Sequence, residues 1–236
     1  MKNILVTGCS RGIGFETVKS FAKSKNAKVL AISRNQDGLK KLVKECSEIN
    51  SDFQLQILSI DLVEKESIQK ICDYIKENMN NSLDGIIHNA GFLIKKPFTQ
   101  ITHEELENTF KINVFSPFML TQKLIPVFTK NAHILSISSM GGVQGSKKFP
   151  GLSAYSTSKA TLIALTECLA EEFKMTDLIF NCLALGAVQT EMLSKAFPGY
   201  NAPLSANEMG NFIAKFFYDG GKYFNGQVVP ISLTTP

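Results

Sequence analysis

The sequence predicts an α/β domain with a doubly wound parallel sheet of about seven strands and helices on both faces. Short β-rich runs alternate along the chain with longer segments of helical spacing. Most of the short runs are apolar throughout, which is typical of parallel strands covered on both faces. The strand–helix alternation favours right-handed crossovers between parallel strands. The 236 residues are 44% hydrophobic and 19% charged, which indicates a folded domain and excludes a disordered chain.

The apolar runs predict the strands in order. They are residues 3–7, 28–33, 54–60, 85–88, 132–138, 178–184 and 227–231. Two apolar stripes at helical spacing are formed by Ile68, Ile71, Cys72 and Ile75, and by Leu162, Leu165, Leu169 and Phe173. Residues 191–205 break any regular pattern, because residues 197–200 are Phe-Pro-Gly-Tyr. We expect a substrate loop or lid there, within one domain spanning residues 1–236.

Charge and cysteine usage exclude several classes of protein. The net charge of +4 comes with no dense basic block, which argues against a nucleic-acid partner. The five cysteines form no CxxC pair and no cluster with histidine, as expected of reduced cytosolic thiols. The widely spaced His88, His103 and His133 predict no metal site. No apolar stretch approaches membrane-span length, and the first run is too short for a signal peptide. We therefore expect a cytoplasmic protein without a membrane partner.

A glycine-rich turn follows the first predicted strand. Residues 7–14 are TGCSRGIG, with Gly8, Gly12 and Gly14, and a helical segment begins there. Glycine permits a tight turn and a close approach of backbone N–H groups to a phosphate, and a helix N-terminus adds a positive dipole end. The strand–turn–helix context predicts a dinucleotide site. The alternative is a turn that only packs a helix onto the sheet.

The end of the second strand indicates which dinucleotide. Enzymes that prefer NAD(H) usually place an acidic residue there, on the ribose 2′-hydroxyl. Here the strand ends in Ser33-Arg34 without an acid, and Arg11 lies in the glycine-rich turn. A guanidinium makes charge-assisted hydrogen bonds to a phosphate, so Arg34 and Arg11 favour NADP(H) over NAD(H).

A tyrosine and a lysine open the predicted helix after residue 150. Tyr155 and Lys159 are four residues apart and therefore share one helix face. A free tyrosine has a pKa near 10, and a lysine cation close by favours the phenolate, which makes proton transfer with a carbonyl or alcohol feasible. The same spacing occurs by chance on many helices. Two hydroxyls, Ser138 and Ser139, end the fifth strand, where ligand sites lie in this architecture.

Taken together, these motifs are similar to those of the short-chain dehydrogenases/reductases. The motifs occur in the family's order: TGxxxGIG at residues 7–14, Asp61 after the third strand, NAG at 89–91, Asn113, the serine pair, and YxxxK at 155–159. The resemblance runs through nearly the whole chain and implies a Rossmann-type fold with a nicotinamide cofactor.

The resemblance also implies a role for each matching residue. Tyr155 would be the general acid/base, Lys159 would lower its pKa and hold the nicotinamide ribose, Ser139 would steady the substrate oxygen, and Asn113 would hold a water that relays protons. If the alignment is off by one residue, Ser138 takes the role of Ser139. The implied cofactor-binding residues are Gly8, Ser10, Arg11, Gly12, Ile13, Gly14, Ser33, Arg34, Asp61, Leu62, Asn89, Ala90, Gly91, Tyr155, Lys159, Val188 and Thr190.

Three positions depart from the family's pattern. His88 stands where a second Asn is common, and we interpret it as structural. Leu185-Gly186 replaces Pro-Gly, which removes a rigid turn ahead of Thr190. The C-terminal run 229–236 lacks the usual Asp-Gly-Gly, so the rear wall of the substrate site differs.

The sequence thus predicts an NADP(H)-dependent carbonyl reductase or alcohol dehydrogenase. The alternative is a catalytically silent NADP(H)-binding regulatory protein, although all four catalytic residues are present. An epimerase of the extended branch would be longer, with differently spaced glycines. The predicted pocket is apolar with few charged groups, which fits a hydrophobic ketone, aldehyde or steroid-like alcohol. Its predicted lining residues are Phe149, Leu152, Met192, Phe197 and Tyr200. The resemblance implies a homodimer or homotetramer through the Tyr155 helix and the segment 113–128.

Overall fold

Among residues 1–24 and 26–233, which the computed structural model describes, seven strands form one parallel sheet. The strands are β1 (Lys2–Thr7), β2 (Ala27–Ser33), β3 (Gln54–Ser59), β4 (Leu83–His88), β5 (Phe128–Ser139), β6 (Ile179–Leu185) and β9 (Gln227–Ile231), and two short strands, β7 (Val188–Gln189) and β8 (Leu204–Ser205), pair separately. The sheet order is β3-β2-β1-β4-β5-β6-β9. The order reverses between β1 and β4, and a crevice opens at such a switch point.

Helices cover both faces of this sheet. They are α1 (Gly12–Ala22), α2 (Gln36–Ile49), α3 (Ser67–Asn78), α4 (His103–Phe110), α5 (Ser116–Leu124), α6 (Ser153–Glu172), α7 (Glu191–Ala196) and α8 (Ala206–Asp219). The fold is thus the predicted Rossmann-type α/β domain. None of the helices in the described ranges is long and apolar enough to cross a membrane.

The core is divided by the sheet into two layers. Side chains of alternate strand residues point to opposite faces, so Ile4 and Val6 join one cluster while Leu5 joins the other. The first cluster packs α1, α2 and α8, with Phe21 and Phe217 meeting edge to face at 5.8 Å between ring centroids. The second cluster packs α3, α5 and α6. Burial on both faces explains why the strands are apolar throughout.

The predicted strands are confirmed, with most boundaries within one or two residues. The largest difference is β5, which begins at Phe128 instead of residue 132. Its register against β4 shifts between Leu83 and Gly85, and Asn131 adopts a left-handed φ of 59°. The segment 128–131 is partly polar and irregular, so hydrophobic patterning did not indicate a strand there.

The segment 191–205 is more regular than its sequence indicates. Thr190 caps α7, its side chain accepting a hydrogen bond from the backbone N–H of Leu193 at 3.2 Å. Beyond α7 the chain returns through β8, which pairs in parallel with β7. The expectation of an unpatterned stretch was therefore wrong for residues 191–196 and 204–205. Of the C-terminal run 229–236, residues 234–236 lie outside the described residues.

Candidate active site

The carboxyl ends of β1, β4, β5 and β6 open into one cleft with a volume of about 590 Å³. Every predicted cofactor-binding residue except Gly14 lines it. Among the predicted catalytic residues, Ser139, Tyr155 and Lys159 line the cleft, whereas Asn113 is buried behind its wall. The structure therefore brings together predicted residues as far apart in sequence as Gly8 and Thr190.

The glycines of the turn after β1 are required by close backbone packing. Gly8 has a φ of +76°, and a Cβ atom there would lie 2.7 Å from the Cα of Ala90. A Cβ at Gly14 would lie 2.4 Å from the carbonyl oxygen of Gly8. Gly14 thus lets the first turn of α1 close onto the end of β1, with the helix N-terminus facing the cleft.

Asn89 and Thr7 fasten this turn to the end of β4. The Asn89 side-chain amide donates to the carbonyl oxygens of Thr7 and Gly8 at 3.0 and 3.1 Å. The Thr7 hydroxyl accepts from the backbone N–H groups of Asn89 and Ala90 at 3.2 and 3.0 Å. The Asn89 side chain is therefore used within the protein, and the motif at 89–91 holds the floor of the cleft in place.

One end of the cleft carries two exposed arginines. The Arg34 guanidinium lies 3.4 Å from a carboxylate oxygen of Asp61, and its side chain is 63% exposed. Nearby, the Ser33 hydroxyl donates to the Ser10 hydroxyl at 2.8 Å. Asp61 follows the end of β3. The acidic partner of Arg34 therefore does not stand at the end of β2, the position at which an acid would indicate NAD(H).

The second arginine links the glycine-rich turn to α7. Arg11 pairs with Glu191 at 2.8 Å, and both side chains are well exposed. Glu191 also pairs with Lys195 at 2.7 Å. The two cations hold the pKa of the Glu191 carboxyl below its usual value, mainly through the hydrogen bond from Lys195. Arg11 therefore already has an anionic partner on α7, which its sequence position did not indicate.

Ser139, Tyr155 and Lys159 converge at the other end of the cleft. The Ser139 side chain hydrogen-bonds Tyr155 and accepts from the backbone N–H of Gly141 at 3.1 Å. The Lys159 ammonium donates to the carbonyl oxygen of Ile137 at 2.8 Å and lies 5.9 Å from the centre of the Tyr155 ring. The three side chains thus form a polar group against an otherwise apolar wall.

Burial dominates the titration of this group. It raises the pKa of Tyr155 to about 12, although the hydrogen bond from Ser139 acts in the opposite direction. It lowers the pKa of Lys159, which is only 4% exposed, to about 8. Burial and the Ser139 hydrogen bond set the pKa of Tyr155 in the protein alone, and the expectation that Lys159 lowers it stays a prediction.

The two candidate serines have different partners. Ser138 is buried, and its hydroxyl donates to the backbone carbonyl of Lys159 at 2.8 Å, which ties β5 to α6. Ser139 instead faces Tyr155. The geometry favours Ser139 over Ser138 for contact with a substrate oxygen.

Asn113 lies in a π-helical turn, Lys111–Phe115, between α4 and α5. Its side chain accepts from the backbone N–H of Phe92 at 2.7 Å and donates to the Phe92 carbonyl and the Ser158 hydroxyl, both at 2.9 Å. This side chain thus positions the chain after β4 against α6. A Cβ built at Gly91 would lie 3.5 Å from the Lys159 ammonium and 3.6 Å from the Asn113 Oδ1.

His88, which stands where the family often has Asn, is buried in the core. His88 shares a hydrogen bond of 2.8 Å with the Thr121 hydroxyl, and burial lowers its pKa to about 3, so the ring is neutral. This geometry agrees with a structural role. Within the described ranges, no group of three or more His, Cys, Asp or Glu side chains is arranged to hold a metal ion.

The turn after β6 keeps its place without proline. Leu185 is buried in the core, and the Gly186 N–H donates to the carbonyl oxygen of Ile231 at 2.8 Å. A Cβ at Gly186 would lie 2.4 Å from the Ser232 hydroxyl oxygen. Contacts with β9 thus restrain this turn, and Thr190 lies close to Gly12 of the glycine-rich turn.

The predicted substrate residues line the cleft beyond Tyr155. Phe149, Leu152, Met192, Phe197 and Tyr200 all do so. The segments 141–153 and 191–203, which the sequence predicts as pocket walls, also contribute Lys147 and Leu193, whereas sequence reasoning missed Leu93, Ile112, Met140 and Ala187. Leu93 follows the NAG motif and Met140 follows the serine pair. Their closeness to these motifs in sequence could have predicted that they line the cleft.

A switch-point cleft with a glycine-rich turn and a Ser–Tyr–Lys group defines an oxidoreductase of the Rossmann type. Comparison with known proteins makes the class specific. A model of the family described as short chain dehydrogenase matches residues 2–201. The chain belongs to the short-chain dehydrogenase/reductase family, as its motifs predict.

Individual relatives span most of the chain. It is 32% identical over 200 residues to the uncharacterized oxidoreductase YciK of Escherichia coli (strain K12), covering 83% of this chain and 77% of that protein. It is 26% identical over 242 residues to the 3-oxoacyl-[acyl-carrier-protein] reductase FabG of Thermotoga maritima, covering 98% and 96%. A short chain dehydrogenase from Shigella flexneri 2a strain 301, complexed with NADP, matches with a TM-score of 0.85 and 29% identity, covering 97% and 96%.

Proposed function

We propose that the protein is an NADP(H)-dependent oxidoreductase that transfers a hydride between the nicotinamide and a carbonyl or secondary alcohol. One observation carries the proposal. Ser139, Tyr155 and Lys159 meet at one end of a continuous cleft whose other end carries Arg34. Such a cleft suits a long, phosphate-containing cofactor whose reactive end meets a proton-transfer group.

The fit of a nicotinamide dinucleotide is supported by the shape and charge of the cleft. The turn from Gly8 to Gly14 and the N-terminus of α1 would hold the pyrophosphate. Lys159 and Tyr155 would hold the nicotinamide ribose, and Thr190 the carboxamide. Arg34 is exposed and only loosely paired with Asp61, so its guanidinium is available to a 2′-phosphate. The bound cofactor would supply or accept the hydride.

The protonation state of Tyr155 suits the proton-transfer step of a carbonyl reduction. With a pKa of about 12, the side chain is a phenol at neutral pH and would donate its proton to the carbonyl oxygen. The Ser139 hydroxyl, adjacent to Tyr155, would hydrogen-bond the same oxygen as charge develops on it. Oxidation of an alcohol would instead require the phenolate, which burial disfavours.

After Tyr155 has donated its proton, a new proton would reach it through the region between Lys159 and Asn113. Gly91 leaves both the Lys159 ammonium and the Asn113 Oδ1 within 3.6 Å of the position that a Cβ would take. A water that bridges the Lys159 ammonium and the Asn113 Oδ1 beside Gly91 would have two polar partners, as a proton relay needs. The predicted water-holding role of Asn113 thus stays part of the proposal, alongside its positioning of Phe92.

The substrate end of the cleft suits an apolar carbonyl compound. Phe149 and Phe197 meet edge to face with ring centroids 6.1 Å apart, and Met192 and Leu152 also line the cleft. The Thermotoga relative is named as a 3-oxoacyl-[acyl-carrier-protein] reductase. A carbonyl reduction of this general kind agrees with the lining, and residues 191–205 would act as the substrate lid.

A cofactor titration tests this proposal. Nicotinamide fluorescence would be followed while wild type and Arg34→Ala are titrated with NADPH and NADH. Because a charge-assisted hydrogen bond contributes about 1.5–3 kcal/mol, the variant is expected to bind NADPH about 10- to 100-fold more weakly and NADH as before. Lys44→Ala, which removes an exposed cation from α2, is the matched control.

The outcomes separate the candidate functions. NADPH binding together with reduction of ketones or aldehydes supports the enzyme. NADPH binding without reduction of any carbonyl in a broad panel would support the catalytically silent regulatory protein. If neither nucleotide binds saturably, the oxidoreductase assignment for this chain is wrong.

A further inference from the structure

Two lysines lie on the aromatic pair at the substrate end of the cleft. The Lys95 ammonium is 3.9 Å from the centre of the Phe197 ring, and the Lys147 ammonium is 5.7 Å from the centre of the Phe149 ring. The two rings also contact each other. We call Lys95 and Lys147 the rim lysines, since both side chains are exposed where the apolar lining meets solvent.

The rim lysines differ from the lysines next to them in sequence. Lys96 pairs with Glu105 at 2.9 Å, and Lys148 donates to the carbonyl oxygens of Gly141 and Val143 at 2.8 and 2.6 Å. Within residues 1–24 and 26–233, neither rim lysine forms an ion pair or a hydrogen bond. Their partners are the two aromatic rings, and a cation–π contact leaves most of an ammonium group open to an anion.

The carboxylates of the cleft are already in use. In the described part of the chain, Asp61 and Glu191 are the acidic residues that line it. Asp61 pairs with Arg34, and Glu191 pairs with Arg11 and Lys195. The substrate end of the cleft therefore has an excess of positive charge at its rim that the protein does not neutralise.

The backbone beside Lys95 is anchored to the segment that precedes α6. The Lys96 N–H donates to the carbonyl oxygen of Gly151 at 2.9 Å, which joins the loop after β4 to the segment before α6. A Cβ at Gly151 would lie 3.2 Å from the Lys95 side chain. Phe197 comes from a third segment, just after α7. A ligand at the rim would thus contact three separate parts of the chain.

We propose that the substrate is an apolar carbonyl compound with an anionic group at the end remote from the carbonyl, and that Lys95 and Lys147 bind this group. The inference rests on the proposed reductase function. It narrows the substrate class beyond the neutral ketones and alcohols that the apolar lining alone indicates. Binding would need no displacement of a protein carboxylate, because in the described part of the chain neither ammonium group is paired with one. A carboxylate and a phosphate monoester share the required charge.

Matched substrates test the inference. Linear aldehydes and methyl ketones of graded length would each be tested in three forms. One carries a terminal carboxylate, the second is the methyl ester of that acid, and the third carries a terminal phosphate. The measured quantity is the ratio of kcat/KM for the anionic compound to that for the ester. Wild type should favour the anionic compound at an optimal length, and the preference should shrink as salt is raised. The better of the two anions identifies the end group.

Variants assign the preference to the rim. Since exposed ion pairs are individually weak, Lys95→Gln and Lys147→Gln should each lower the ratio about threefold to fivefold, and the double variant should lower it further. Lys44→Gln on α2, with the same change in net charge, should leave the ratio as in wild type. An equal loss for the ester and the anion in the rim variants would overturn the inference, because the lysines would then only support the aromatic pair.

A binding measurement separates this inference from the reductase proposal. Calorimetry with saturated carboxylic acids of the same graded lengths, which have no reducible carbonyl, reports the rim interaction without turnover. Tighter binding of the acid than of its methyl ester, lost in the double variant, supports the rim site even if no carbonyl is reduced. Equal affinities for the acid and the ester would overturn it even if reduction is observed.

Discussion

At the scale of single residues, burial determines the chemistry that the cleft can perform. Tyr155 and Lys159 share one helix face, as their spacing predicts, yet the lysine donates to the Ile137 carbonyl while the tyrosine bonds to Ser139. Desolvation raises one pKa and lowers the other. Both shifts favour the neutral forms, a phenol that can donate a proton and a lysine that loses its charge just above neutral pH.

These shifts predict a pH profile. The Tyr155 phenol stays protonated to about pH 12, whereas the Lys159 ammonium loses its proton near pH 8. If the cofactor ribose requires the ammonium, kcat/KM for NADPH should be level below pH 7.5 and fall about tenfold per unit well above pH 8. Initial rates at saturating carbonyl substrate would measure it, with circular dichroism as a control for folding at each pH. A profile that stays level to pH 10 would contradict the role of Lys159.

The sequence predicted which candidate catalytic residues come together in the cleft better than it predicted their hydrogen-bond and ion-pair partners. Spacing alone joined Tyr155 to Lys159, and strand ends indicated where the serines lie. The choice between Ser138 and Ser139 depends on the direction of the side chains in the last residues of β5. A shift of one residue along the strand reverses that direction. The partnership of Arg11 with Glu191 spans 180 residues and depends on where α7 returns to the cleft. No local pattern encodes such a contact.

At the scale of elements, the turn between β1 and α1 carries the strictest requirements. Only glycine fits at position 8, because a side chain would collide with Ala90, and at position 14, because a side chain would collide with the backbone of Gly8. Asn89 holds the turn through two hydrogen bonds. The turn, the end of β4 and the start of α1 therefore act as one rigid unit.

Gly14→Ala should disrupt this unit. Alanine ordinarily stabilises a helix relative to glycine, but its Cβ would lie 2.4 Å from the Gly8 carbonyl oxygen. We expect a loss of about 1–3 kcal/mol in the free energy of unfolding, together with weaker NADPH binding. Urea unfolding and nucleotide titration would measure both.

Gly91→Ala is the matched control, since its nearest neighbour would be the Lys159 ammonium at an ordinary 3.5 Å. Its free energy of unfolding should stay within about 0.5 kcal/mol of wild type. Equal stability losses in the two variants would show that the packing of Gly14 is not special.

Element prediction succeeded where one physical signal dominated. Parallel strands buried on both faces are continuous apolar runs, so all seven strands of the main sheet were found. The π-helical turn at Lys111–Phe115 and the early start of β5 at Phe128 have no such signal, because each is an irregularity within an otherwise regular element. The short β7–β8 pair depends on the path of the lid, which tertiary contacts set.

At the scale of the whole molecule, an apolar surface beside the active site predicts self-association. Leu106 of α4, Phe115 of the π-helical turn, and Phe118 and Met119 of α5 are all 40–52% exposed. Small residues of α6, including Ala164, are exposed as well. Apolar side chains clustered on adjacent elements are typical of a subunit interface. This surface includes the helices through which the sequence predicted a homodimer or homotetramer.

Charge placed in this surface should separate the subunits. Phe118→Glu is expected to convert a wild-type oligomer into a monomer at micromolar concentration, because an unpaired carboxylate would be buried at the contact. Size-exclusion chromatography with light scattering gives the mass directly. Met175→Glu, at a 90% exposed residue outside α4 and α5, should leave the mass unchanged. A monomeric wild type, or a Phe118→Glu variant of wild-type mass, would refute the interface.

The central claim is that Tyr155 donates the proton in an NADPH-dependent carbonyl reduction, and one paired measurement on Tyr155→Phe tests it directly. On the same samples, NADPH affinity would be measured by fluorescence and carbonyl reduction by the loss of NADPH absorbance. Phenylalanine keeps the ring but removes the hydroxyl proton. The account predicts NADPH affinity within about tenfold of wild type, since one neutral hydrogen bond to the ribose is lost, and a fall in kcat of at least about 100-fold. Reduction at the wild-type rate by this variant would contradict the account.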